Sequence, residues 1–257
     1  MPVEIDWSAV LEFIARRNAE LANSCAGVAR SQIEAVERRY GITLPSNYVN
    51  FLQRMGESSG GLNLFGFTYA HQFSRLIRQL PSTSDMTQRY FRVAMESDLS
   101  APSFEDIYLD LQHSDQHDGP LVRISRPLNP DSEIEEWPLS VTEKIIYELV
   151  WQIDVSRMPF GAEVAAFNGG ASRNPLKTKE DAANLLRDLG FAASLPELPR
   201  VVCMSQPASS VLIAVDEDLV TFELGGNSRE GLEESLNVLL SAQLGAILQR
   251  PPARRAG

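Results

Sequence analysis

Between Ser31 and Gly66 the chain spells out two helices around a glycine and a Leu-Pro pair, and no other stretch restricts the fold as tightly. Ser31 with Glu34 three residues on has the form of a capping box, which predicts a helix start there. Ile33, Val36 and Tyr40 fall on one face of that helix, with Glu34, Glu37, Arg38 and Arg39 outside. Gly41 suits the left-handed conformation that closes a helix. Leu44-Pro45 opens a second helix, because a proline at the first helical position gives up a donor that had no partner. Tyr48, Phe51, Leu52 and Met55 then repeat at i, i+3, i+4 and i+7 up to Gly56. Helices this short are marginal alone in water, so both must cover an apolar surface supplied by the rest of the chain.

The flanking sequence supplies it. Asp6 is placed to cap a helix running to about Asn23 on Trp7, Val10, Leu11, Ile14 and Leu21. Leu62–Phe67 is a short strand candidate, and residues 71–80 read as a helix. Phe91, Val93 and Met95 alternate with polar or small residues, as do Ile107, Leu109 and Leu111, the period of half-buried strands. Leu121–Arg126 completes a hairpin across the polar turn Gln112–Gly119, and Pro127, Pro130 and Pro138 mark an acidic loop. Ser140 and Glu143 form a second capping box, opening a helix on Val141, Ile145, Leu149 and Ile153. Pro159–Pro175 reads as a linker. Beyond it come a helix over 178–189, strands at 201–204, 211–215 and 219–224, a long helix from Ser228 to Leu248, and a frayed tail. The expected fold class is α+β, with N-terminal helices on a small, mainly antiparallel sheet. Two domains are expected, 1–158 and a smaller α/β module at 159–257.

With 44% hydrophobic and 22% charged residues, the composition is that of an ordinary globular protein. The N-terminus lacks the basic and apolar regions of a signal peptide, and no apolar run reaches the length of a membrane span. Cys25 and Cys203 are the only cysteines, which points to a reducing cytoplasm without a disulfide framework. A net charge of −11 argues against direct nucleic-acid binding. The charge is concentrated: Glu96–Glu136 holds eleven acidic against two basic residues, a net −9. Such a run is either a solvated face or a surface that attracts a basic protein.

Motifs that would carry chemistry are weak. Gly56-Glu57-Ser58-Ser59-Gly60 matches the nucleophile elbow, but that motif needs a strand before the serine and a helix after it. Here the order is reversed, and Ser58 reads as a loop residue. His113, Asp115 and His117 alternate in a way that could bring metal ligands to one side of an extended segment. A solvated hairpin loop has the same composition, and no fourth ligand is evident. Gly169-Gly170 and Gly225-Gly226 fit neither the P-loop nor the dinucleotide fingerprint. No catalytic residue, cofactor or metal is therefore expected.

The order Ile33, Glu34, Glu37, Tyr40-Gly41, Leu44-Pro45, Tyr48, Phe51-Leu52 resembles the opening signature of the SUKH superfamily, which includes SMI/KNR cell-wall regulators and bacterial toxin-immunity proteins. The resemblance reaches from Trp7 to about Arg157. It implies a non-catalytic cytoplasmic protein that neutralises a toxin, which for a nucleic-acid-directed toxin would be basic. The alternative it implies is a regulatory module with an endogenous partner; an unrecognised hydrolase or metal-dependent enzyme comes third. The residues expected to face the partner are Glu96, Asp98, Glu105, Asp106, Asp110, Asp115, Asp118, Asp131, Glu133, Glu135 and Glu136.

Overall fold

The computed structural model describes residues 3–66, 68–80, 88–97, 105–126, 128, 131–167, 174–241 and 246–254, the last segment and residue 167 by backbone only. Its helices and antiparallel sheets make it an α+β protein. It divides into two compact units, Met1–Glu148 and Leu149–Gly257. That division falls inside a helix, whereas the sequence reading placed it at 158.

In the first unit, α1 (Trp7–Arg17) starts on Asp6, whose carboxylate accepts the Ser8 and Ala9 N–H groups at 2.9 and 3.4 Å. The expected single helix breaks at Asn18, which leaves helical geometry and caps α2 (Ala19–Ser24) through its own side chain. α3 (Arg30–Tyr40) begins one residue before Ser31. Its leading amide at Ala29 is met by Gln32, while Glu34 turns to Arg30 and Arg38. Gly41 closes the helix at φ +64°, left-handed as expected. Glu37, read as a purely outer residue, accepts the Leu44 N–H at 2.9 Å and so ties α3 to the turn that follows.

Pro45 is the N-cap of α4 (Ser46–Met55) and offers no side-chain acceptor. α4 buries Tyr48, Phe51, Leu52 and Met55. Phe51 lies 5.4 Å from Trp7 of α1 and 5.8 Å from Tyr48 between ring centroids. A two-stranded ladder pairs β1 (Cys25–Ala26) with β2 (Ser58–Ser59). Between β1 and α3, a Cβ on Gly27 would lie 1.8 Å from the Gln53 carbonyl oxygen, so only glycine lets the chain pass α4 here. Residues 62–66 form a buried turn through Leu62, Leu64 and Phe65 instead of a strand.

The main sheet of this unit runs β3 (Tyr69–Ala70), β4 (Tyr90–Glu96), β5 (Glu105–Asp110), β6 (Pro120–Ser125), β7 (Ile134–Ser140), antiparallel throughout. α5 (Phe73–Arg78) packs against β4. β4 was expected to be half-buried; all seven of its residues are buried, and Tyr48 of α4 meets Phe91 edge-on at 6.3 Å. β7 lies where an acidic loop was expected. Its glutamates and Pro138 mask the strand signal, and the sheet edge is where a strand tolerates both.

α6 (Val141–Ile153) carries the division between the units. In the second unit a 3-10 turn, Val155–Arg157, leads into β8 (Phe160–Phe167). α7 (Pro175–Asp188) and β9 (Ala192–Ala193) follow. Then come β10 (Val201–Gln206), β11 (Ser209–Asp216), β12 (Leu219–Gly226), α8 (Arg229–Ser241) and β13 (Ala246–Arg254). The six-stranded sheet runs β13-β8-β12-β11-β10-β9, antiparallel throughout. Val164, Ile213, Phe222 and their neighbours meet Ala182 and Leu186 of α7 and Leu232, Leu236 and Leu239 of α8 in one core.

Two expectations are corrected here. The supposed linker 159–175 holds β8, an interior strand whose run of alanines carries little β signal. The supposed end of the long helix and frayed tail hold β13, where Pro251 and Pro252 fall at a register shift that spares the ladder their missing N–H groups.

Phe51→Ala should lower the unfolding free energy by about 3–5 kcal/mol through lost transfer energy and a cavity. Glu37→Ala should cost about 1–3 kcal/mol by orphaning the Leu44 N–H, and Arg38→Ala less than about 0.5 kcal/mol. Urea unfolding of the three variants gives the ranking.

Candidate partner-binding surface

Ten of the eleven expected carboxylates lie among the described residues and separate into three groups. In the first, Asp106 on β5 is wholly buried. Its Oδ2 accepts Arg92 of β4 at 3.0 Å, and its Oδ1 lies 3.1 Å from Nε of Arg126 and accepts the Glu96 N–H at 3.0 Å. Arg126 also donates to the Glu96 carbonyl at 2.7 Å, and the buried Glu96 carboxylate accepts the Thr68 hydroxyl at 2.8 Å. Burial pushes the Asp106 carboxyl up, against the Glu96 N–H and the two guanidiniums that pull it down. A carboxylate so enclosed holds strands together and has no free face for a partner.

The second group belongs to the β5–β6 turn. Asp110 is buried: burial raises its pKa, but Arg89 at 3.0 Å, His113 Nδ1 at 2.8 Å and the Gln112 N–H outweigh it and leave it below the usual value. Asp115 spends one oxygen on the N–H groups of His117 and Asp118, at 2.6 and 2.9 Å. The carbonyls of Gln116 and His117 accept the Ser46 and Asn47 N–H groups at 2.9 and 3.0 Å, and His117 Nδ1 meets Ser46 Oγ at 3.0 Å. The turn thus caps α4, which Pro45 could not. Asp118 accepts the Ser140 hydroxyl at 2.6 Å, the Gly119 N–H at 2.9 Å and the Thr142 N–H at 3.3 Å. Ser140 and Glu143 exchange the two bonds of the expected capping box at 3.2 and 3.1 Å. Burial raises the Asp118 pKa, partly offset by these bonds. His113, Asp115 and His117, read as possible metal ligands, therefore point at three separate partners, and no metal-binding cluster occurs among the described residues.

The third group faces solvent. Asp131, Glu133, Glu135 and Glu136 are exposed, the last two on β7, and Glu105 is half-buried beside Arg123 at 3.9 Å. Arg123 also donates to Glu135 at 2.5 Å and lies 5.7 Å from the Trp137 ring, which Lys144 approaches at 4.6 Å from the other element. Asp98 lies outside the described residues. Of the expected surface, the exposed carboxylates among the described residues are Asp115 in the turn, Asp131 and Glu133 just before β7, and Glu135 and Glu136 on it.

Ile134 and Trp137, which flank the two strand glutamates, were missed because Ile-Glu-Glu-Trp has no clean alternation. The register places Ile134 beside Ile124, Glu135 beside Arg123 and Glu136 beside Val122.

The elbow-like segment is structural. Ser58 Oγ donates to the Ser24 carbonyl at 2.9 Å and holds the Gly60 N–H at 3.2 Å. Its neighbour Ser59, which the sequence did not single out, is buried and donates to the Leu62 carbonyl at 2.8 Å. The buried His71 Nε2 stands 3.0 Å from Ser59 Oγ. With the serine hydrogen spent on Leu62, Nε2 is the donor, the reverse of a general base taking the serine proton. Burial lowers the His71 pKa to about 4. No helix among the described residues is long and apolar enough to cross a membrane. Comparison with protein-family models, with curated proteins and with solved structures finds no match.

His71 gives the fold a pH dependence of known sign. Its folded pKa is depressed from 6.5 to about 4, so between these values the unfolded chain binds more protons and stability falls as pH falls. The full shift corresponds to about 3 kcal/mol. Urea unfolding at pH 7 and pH 4.5 should show His71→Gln losing less stability on acidification than the parent protein; equal losses would rule out this assignment.

Proposed function

We propose that this chain is a non-catalytic binding protein that neutralises a basic toxin, as the resemblance to SUKH immunity proteins implies, and that its contact surface includes the exposed carboxylates of β7. The observation that carries the reading is the exposure of Glu133, just before β7, and of Glu135 and Glu136 on it, while Asp106 and Asp110 are buried and Asp118 is held by Ser140, Gly119 and Thr142. A toxin directed at nucleic acid must be basic to hold phosphates. Exposed carboxylates along a sheet edge can occupy the phosphate-binding surface of such a toxin and disfavour acidic partners. The protein acts by occlusion, in the cytoplasm, and uses no cofactor.

Co-expression with the protein encoded beside it tests the reading: a stable complex and loss of the toxin's activity are expected, and full toxicity with no complex would overturn it. Within such a complex, the triple change Glu133→Lys, Glu135→Lys, Glu136→Lys should slow association about tenfold or more at low salt. The effect should fade as ionic strength shortens the screening length to about 8 Å. Stopped-flow association across a salt series measures it; an unchanged rate with the toxin still bound would place the contact elsewhere.

A further inference from the structure

β7 is an edge strand: β6 flanks it on one side, and among the described residues it is the last strand of its sheet on the other. The opposite edge, β3, is only two residues long. An edge strand presents a row of unpaired N–H and C=O groups that can template another strand. Natural edges are usually protected by a charge or a proline. β7 carries both, but it also leaves Ile134 41% exposed, one of two large apolar side chains so exposed among the described residues. Ile134 lies beside Ile124, which belongs to a small core with Tyr90, Tyr108 and Val122. That core therefore runs out to an uncovered side chain at the edge, flanked by carboxylates.

From this juxtaposition we propose that β7 binds its partner by strand addition, and that the added segment carries an apolar residue next to two consecutive basic residues. The inference rests on reading β7 as the contact surface and adds the mode of contact and the partner's local sequence. Neighbouring residues of a strand point to opposite faces, so Glu135 and Glu136 stand on opposite faces of the sheet, with Ile134 on the face of Glu136. An antiparallel strand, matching the rest of the sheet, sets one residue opposite each. A basic residue opposite Glu136 neutralises that face, one opposite Glu135 shares that carboxylate with Arg123, and an apolar residue opposite Ile134 extends the small core by one side chain. Read from its N-terminus, the partner segment is basic, basic, apolar. A second copy of this chain is a poor occupant, because self-pairing of β7 sets glutamates against glutamates.

The test needs no toxin. A labelled Thr-rich peptide with Lys-Lys-Val at its centre is titrated into the full chain, alongside a copy N-methylated along its backbone, which keeps the charge but cannot pair as a strand. The parent peptide should bind and slow amide exchange at 134–137, and N-methylation should weaken binding by at least about tenfold, since main-chain bonds carry strand addition. Ile134→Thr should weaken the parent peptide severalfold and leave the N-methylated copy unaffected. Equal binding of both peptides, or binding without protection of β7, would overturn strand addition while leaving a charge-only contact. Absence of binding by either peptide would also overturn it. Failure of the co-expressed complex, with these peptide results intact, would instead count against the toxin reading.

Discussion

Two helices begin on one hairpin turn, and the first unit depends on that coincidence. The N-cap of α4 is Pro45, which has no side-chain acceptor, so the leading amides at Ser46 and Asn47 would be orphaned without another partner. The Gln116 and His117 carbonyls meet them, and two residues on Asp118 meets the start of α6 through Ser140 and Thr142. A helix N-terminus carries partial positive charge, so a carboxylate there is favourable beyond its hydrogen bonds. The turn therefore fixes where α4 lies on β4, and hence where Tyr48, Phe51 and Trp7 pack.

This division of labour explains how so acidic a segment folds. The buried Asp106 accepts Arg92 and the Glu96 N–H with the Arg126 guanidinium 3.1 Å away, the buried Asp110 has an arginine, an imidazole and an amide, and the half-buried Asp118 a hydroxyl and two amides. A buried charge without such partners would be prohibitively costly. Most of the exposed carboxylates, Asp131, Glu133, Glu135 and Glu136, gather at and just before β7, with Asp115 left in the turn. The outward negative field there is a remainder left after the interior carboxylates are satisfied, and it is narrower than the run of acidic residues.

The helical half of the first unit was legible because its determinants are local. Asp6, Gly41, the Ser140–Glu143 box and the apolar spacing of α4 all act within a turn or two of themselves. β4, β5 and β6 were legible from their apolar runs, though not that β4 is buried on both faces, since burial depends on what arrives from elsewhere. The errors share one cause. β7, β8 and β13 are strands by virtue of their neighbours in the sheet: their glutamates, alanines and prolines have no intrinsic preference for the extended state. The roles of Asp106 and Asp118 were likewise hidden, because Arg92, Arg126 and Ser140 are brought to them only by pairing across strands. Composition located the charge; only the sheet register separates the carboxylates that build the fold from those that face outward.

That separation is most directly tested by comparing Asp118→Ala with Glu136→Ala in urea unfolding at pH 7. Asp118 holds three donors at the start of α6, and losing a charge-assisted set of this kind should cost at least about 3 kcal/mol. Glu136, exposed on the sheet edge, should change stability by no more than about 0.5 kcal/mol. Comparable losses at the two positions would contradict the account, because they would mean that the carboxylates of this segment are not divided between an interior scaffold and an open edge.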